Sequence, residues 1–77
     1  MDVIIRNGEH IMLEITSRMN SGDIKKLYRS ADDYRDRTGT EPKLMMAANY
    51  IPLKVMRKIM ELERPIEIFS HDSEDED

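Results

Sequence analysis

The dipeptide Asn7-Gly8 stands between two runs rich in β-branched residues, Asp2-Val3-Ile4-Ile5-Arg6 and His10-Ile11-Met12-Leu13-Glu14-Ile15-Thr16. No other feature constrains the fold of this chain as much. Asn and Gly accept the positive φ that tight hairpin turns need, so the two runs are expected to be antiparallel strands. Side chains alternate along a strand, and the size of the loop therefore decides which residues share a face. An odd loop, Arg6-Asn7-Gly8 with Gly8 left-handed in a G1 bulge, sorts Val3, Ile5, Ile11, Leu13 and Ile15 onto an apolar face. Asp2, Ile4, His10, Met12, Glu14 and Thr16 then share the other, mostly polar face. A two-residue loop mixes the two sets, so burial favours the odd loop. That loop also sets Asp2 and Glu14 on one face of neighbouring strands.

Beyond the hairpin, Ser21-Gly22-Asp23 offers N-cap oxygens, and Ile24, Leu27, Tyr28, Ala31 and Tyr34 recur at helical spacing until Gly39, a suitable C-cap. This predicts one amphipathic helix over about residues 23–38, its other side a solvated mixture of Lys, Arg and Asp. Lys43 to Tyr50 is a short apolar run without helical caps and reads as a buried strand. Pro52 suits the first turn of a second helix carrying Leu53, Val55, Met56, Ile59, Met60 and Leu62, before Pro65 opens Ile66-Glu67-Ile68-Phe69 as a last strand. The expected fold class is α/β: a small mixed sheet in the order β-β-α-β-α-β, with parallel crossovers following an antiparallel hairpin.

A chain of 77 residues holds one small domain, and with 39% hydrophobic residues and no Trp its core is modest. Self-association, most simply a homodimer, is the expected source of further burial. The absence of Cys excludes a disulfide framework, a thiolate metal site and a cysteine nucleophile, and fits a cytoplasmic location. No run approaches the length of a membrane span. Five of the 16 acids fall in His71–Asp77, leaving 11 acids against 12 bases in residues 1–70. The expected organisation is a folded, nearly neutral domain over 1–70 and a disordered acidic tail over 71–77.

Two carboxylates on adjacent strands repel unless a cation, a shifted pKa or open water compensates. Mg²⁺ ligated by Asp2 and Glu14 satisfies that requirement, and so do two separately solvated strand-end acids. His10 and His71 are too isolated for a histidine metal site, Ser17 and Ser21 lack a histidine-acid pairing, and Gly8, Gly22 and Gly39 each stand alone at turns. The methionines suit core filling or an adaptable interface. No small-molecule cofactor is indicated.

The stretch Asp2-Val-Ile-Ile-Arg-Asn-Gly-Glu-His-Ile-Met-Leu-Glu14-Ile15-Thr16-Ser17 resembles the PD-(D/E)XK nuclease superfamily, with its restriction-endonuclease-like fold, and is closest to archaeal nuclease-like domains. The similarity continues through Leu27-Tyr28-Arg29, Tyr34, Thr38-Gly39 and Tyr50-Ile51-Pro52, covering about residues 1–69. By this resemblance Asp2, Glu14 and the backbone carbonyl of Ile15 are the metal ligands for Mg²⁺ or Mn²⁺. The position of the lysine that activates water in the E-x-K element falls on Thr16, which carries no positive charge. The resemblance also implies a helix and a strand ahead of the Asp-bearing strand, which makes the expected fold a truncated core whose missing elements a partner could supply.

Two function classes follow. One is a Mg²⁺-dependent endonuclease, with Asp2 and Glu14 on the metal, Thr16 at the lysine position, and Arg18, Lys25, Lys26 and Arg29 holding a DNA backbone. The other is a non-catalytic module that keeps the fold for dimerisation or for binding nucleic acid or protein, where the near-neutral domain implies weak, salt-sensitive affinity for a polyanion.

Overall fold

The structure, a computed structural model of the chain, describes residues 2–70. Its elements are β1 (Asp2–Arg6), β2 (Glu9–Arg18), α1 (Ser21–Thr38), β3 (Lys43–Tyr50), α2 (Leu53–Ile59) and β4 (Glu67–Ser70). This is the expected α/β order. One four-stranded sheet runs β1-β2-β3-β4, with β1 antiparallel to β2 and the other neighbours parallel. The arrangement is that of a restriction-endonuclease-like core from the hairpin onward. The stretch read as an acidic tail, 71–77, lies outside the described residues.

The hairpin departs from expectation in its parity. Arg6 pairs with Glu9 and Asp2 with Leu13, so the loop is the two residues Asn7 and Gly8, at φ 54° and 81°. Positive φ at both central positions is the type I′ geometry that Asn-Gly favours, and its twist matches that of the flanking strands. Local turn chemistry therefore prevails over the sorting of apolar from polar residues. Val3 and Ile5 share a face with His10, Met12, Glu14 and Thr16, and Asp2 and Ile4 share the other with Ile11, Leu13 and Ile15.

α1 begins two residues earlier than its apolar spacing suggests, because Asn20 rather than Ser21 is the N-cap. The Asn20 side chain accepts from the Asp23 backbone N–H at 3.1 Å, and the Asn20 N–H donates to the Asp23 carboxylate at 2.9 Å. This reciprocal capping box satisfies two of the helix's orphan donors. At the other end Gly39, left-handed at φ 77°, donates its N–H to the Arg35 carbonyl at 2.7 Å. The exposed side carries i, i+3 and i, i+4 ion pairs, among them Arg37–Asp33 at 3.1 Å. α2 is shorter than its apolar pattern, ending at Ile59, and β4 starts at Glu67, leaving buried Ile66 just ahead of it.

Both helices pack on one side of the sheet, as successive right-handed crossovers stepping in one direction require. Met12, Leu44, Met46 and Ala48 from the strands meet Ile24, Leu27 and Ala31 of α1, Val55 of α2, and the linkers' Met19, Ile51 and Ile66. Met19, Leu27 and Met46 are fully buried. The opposite face has no covering element among the described residues. There Ile4, Ile15 and Phe69 are 44%, 66% and 49% exposed.

Candidate functional site

The hairpin register decides the geometry of the acidic residues. Asp2 lies opposite Leu13, the neighbour of Glu14, so the two carboxylates leave opposite faces of the sheet. Asp2 is exposed on the bare side. Glu14, half-buried, is on the helix-covered side in register with fully buried Met46, one position beyond the last residue that β1 pairs. Thr16 shares the face of Glu14, two residues along, and its Oγ1 donates weakly to the Arg18 carbonyl at 3.4 Å. Ile15 is registered against Ala47 of β3 and directs its side chain to the bare face.

This arrangement does not supply the convergent oxygens that Mg²⁺ or Mn²⁺ takes from protein carboxylates. Among the described residues no three of His, Cys, Asp and Glu lie together in a group that could hold a metal. A depression of about 450 Å³ opens at the carboxyl ends of β2, β3 and β4, lined by Ile15, Thr16, Ser17, Ala47, Ala48, Asn49, Phe69 and Ser70. None of those side chains is charged, and neither Asp2 nor Glu14 lines it. The depression is fitted for apolar and hydroxyl contact rather than for proton transfer.

The basic candidates fall into two groups. Lys25, Lys26 and Arg29 are exposed on the first half of α1, and their spacing of three and four residues sets Arg29 beside both lysines. Arg18 ends β2 in register with Tyr50, and its guanidinium lies 5.1 Å from the centre of the Tyr50 ring. Arg18 also lines a shallow groove with Ser21, Pro52 and Lys54. Tyr50 and Lys54 escape a linear reading, because only the parallel pairing of β2 with β3 brings the start of α2 to Arg18. A cation stacked on an aromatic face beside a second cation can meet both a phosphate and a base.

A second cluster joins the turn before β4 to α1 and to the segment ahead of β3. Arg64 donates from Nη1 to Asp32 at 2.8 Å and from Nη2 to Glu41 at 3.0 Å, and its guanidinium lies over the Tyr28 ring. Burial disfavours the charged guanidinium, but the hydrogen bond and charge of Asp32, then those of Glu41, leave its pKa raised. On Tyr28 the same burial acts in the opposite direction and raises the phenol, against the pull of Arg64. His10 is not solitary either: its Nδ1 is hydrogen-bonded to the Tyr34 hydroxyl across β2 and α1. These contacts fix the fold's geometry rather than compose a reaction centre.

Among the described residues no helix is long and apolar enough to cross a membrane. No curated protein and no solved structure matches the chain. A family model described as the PD-(D/E)XK nuclease superfamily matches residues 1–68, which include the hairpin, both helices and the start of β4. The chain belongs to the PD-(D/E)XK nuclease superfamily.

Proposed function

We propose that this chain is a non-hydrolytic PD-(D/E)XK domain that retains the nuclease fold as a nucleic-acid-binding module. The observation that carries this reading is the pairing of Asp2 with Leu13, which sets Asp2 and Glu14, the two acids that the resemblance would give to a metal, on opposite faces. Thr16 supports it, since a neutral hydroxyl at the lysine position cannot stabilise hydroxide or the charge developing on phosphorus. Binding is assigned to Arg18 with Tyr50 and Lys54, aided by Lys25, Lys26 and Arg29. With 11 acids against 12 bases in residues 1–70, affinity for a DNA backbone is weak and falls steeply with salt.

Calorimetric titration of Mg²⁺ and Mn²⁺ into the chain, beside Glu14→Gln and a plasmid cleavage assay, tests the loss of chemistry. The expected result is no saturable heat and no cleavage with either metal. Saturable binding abolished in Glu14→Gln, with metal-dependent cleavage, overturns the reading in favour of a Mg²⁺-dependent endonuclease. Fluorescence anisotropy with a labelled duplex tests the binding role: Arg18→Ala and Lys54→Ala should each weaken low-salt binding. No binding at low salt removes nucleic acid as the ligand.

A further inference from the structure

The outer edge of β1 carries a pattern that only a second strand of the same sequence completes. All five residues of β1 are exposed, and Val3, Ile4 and Ile5 are 41%, 44% and 62% exposed although they face both sides of the sheet. Edge strands are ordinarily protected by shortness, proline, a bulge or a charge within the strand. The opposite edge, β4, has four residues and follows Pro65. β1 has an apolar interior and two charges of opposite sign at its ends, Asp2 and Arg6.

The backbone is also arranged to receive a partner. In a two-residue hairpin the residues flanking the turn exchange both hydrogen bonds, and such pairs alternate with unbonded ones. Arg6–Glu9 is that closing pair, so Asp2, Ile4 and Arg6 bond inward to β2. Val3 and Ile5 turn their N–H and C=O groups outward.

We propose that two copies of this chain join edge to edge through antiparallel β1 strands, about a two-fold axis normal to the sheet at Ile4. Only one register pairs all five residues: Ile4 opposes Ile4, Val3 opposes Ile5, and Asp2 opposes Arg6 of the second copy, each pair on one face. Val3 and Ile5 then supply four interchain backbone hydrogen bonds. The two terminal pairs, Asp2 with Arg6 of the second copy and its symmetry mate, are attractive cross-strand ion pairs. The product is a continuous sheet of eight strands, and Asp2 gains a partner through the association itself.

Sedimentation equilibrium of the full chain over a range of concentrations tests the interface. The expected result is a monomer–dimer equilibrium in which Asp2→Arg and Arg6→Asp each weaken dimerisation roughly tenfold, while the double charge exchange restores it. Because the chain has no Cys, Ile4→Cys adds a single thiol. Unbonded antiparallel partners approach to about 4.5 Å between Cα atoms, within disulfide range, so mild oxidation should give a covalent dimer. A chain monomeric at every concentration overturns the proposal. A dimer indifferent to both charge reversals, or one that Ile4→Cys does not cross-link, places the contact on another surface and equally overturns it.

Discussion

The Tyr28 hydroxyl donates a hydrogen bond to the backbone carbonyl of Arg64 at 2.7 Å, while the Arg64 guanidinium lies over the Tyr28 ring, 5.0 Å from its centre. Each residue therefore holds the other by a different part of its structure. With Asp32 and Glu41 on the guanidinium, this reciprocal contact ties α1 to the turn before β4 across 36 residues of chain.

Replacing Arg64 by Ala removes both charge-assisted bonds and the ring contact but leaves the carbonyl that Tyr28 uses. The side chain is partly exposed, which limits what its ion pairs contribute. We expect a loss of about 1–2 kcal/mol, read as a lower urea midpoint with an unchanged slope.

Alkaline pH should act through Tyr28. Its pKa is raised by burial, so the folded state keeps a proton that the unfolded chain releases above the ordinary phenol value of 10.0. Stability from this group is intact below that value and is lost as pH rises through the folded-state pKa. Titration of tyrosinate absorbance should show a late-ionising step that Tyr28→Phe removes.

Asn20→Ala deletes the acceptor half of the capping box while leaving the Asn20 N–H to Asp23. A cost of about 1 kcal/mol is expected, measurable by thermal or urea unfolding. Asn20→Ser should recover most of it, because a serine hydroxyl accepts the same N–H.

Thr16→Lys places a positive charge on the face that Glu14 occupies, two residues along β2. It leaves Asp2 on the other face. Cleavage of plasmid DNA with Mg²⁺ or Mn²⁺ should therefore stay absent in this variant, and nicking that appears with the single substitution would show that the acids do act together.

The elements were legible because their signals are local. Asn7-Gly8 announces a hairpin, Gly39 a helix end, and the run from Lys43 to Tyr50 a strand, and each sits where its residues indicate. The faces were not legible, because sorting apolar from polar residues presumes that one face stays wet. Here Met12 and Met46 form the core while Ile11, Leu13 and Ile15 line the other side, so apolar content does not identify the covered face. The Arg64 cluster and the approach of Lys54 to Arg18 depend on strand pairing over long separations, which no local pattern reports. The residues themselves locate the candidate acids on neighbouring strands, and only the two-residue turn decides that they leave opposite faces.

The Asn7-Gly8 turn bears on how such a domain evolves. Strand parity makes a shared metal pair depend on how many residues separate each acid from the turn as well as on which residues they are. One residue added between Asp2 and Arg6, with the Arg6–Glu9 closure kept, would carry Asp2 to the place opposite Glu14. A lineage can thus preserve both acidic codons while losing the pair they encode, and could regain it by a single in-frame insertion. Comparison by residue identity would count the acids as present in either case and record the decisive event only as a gap.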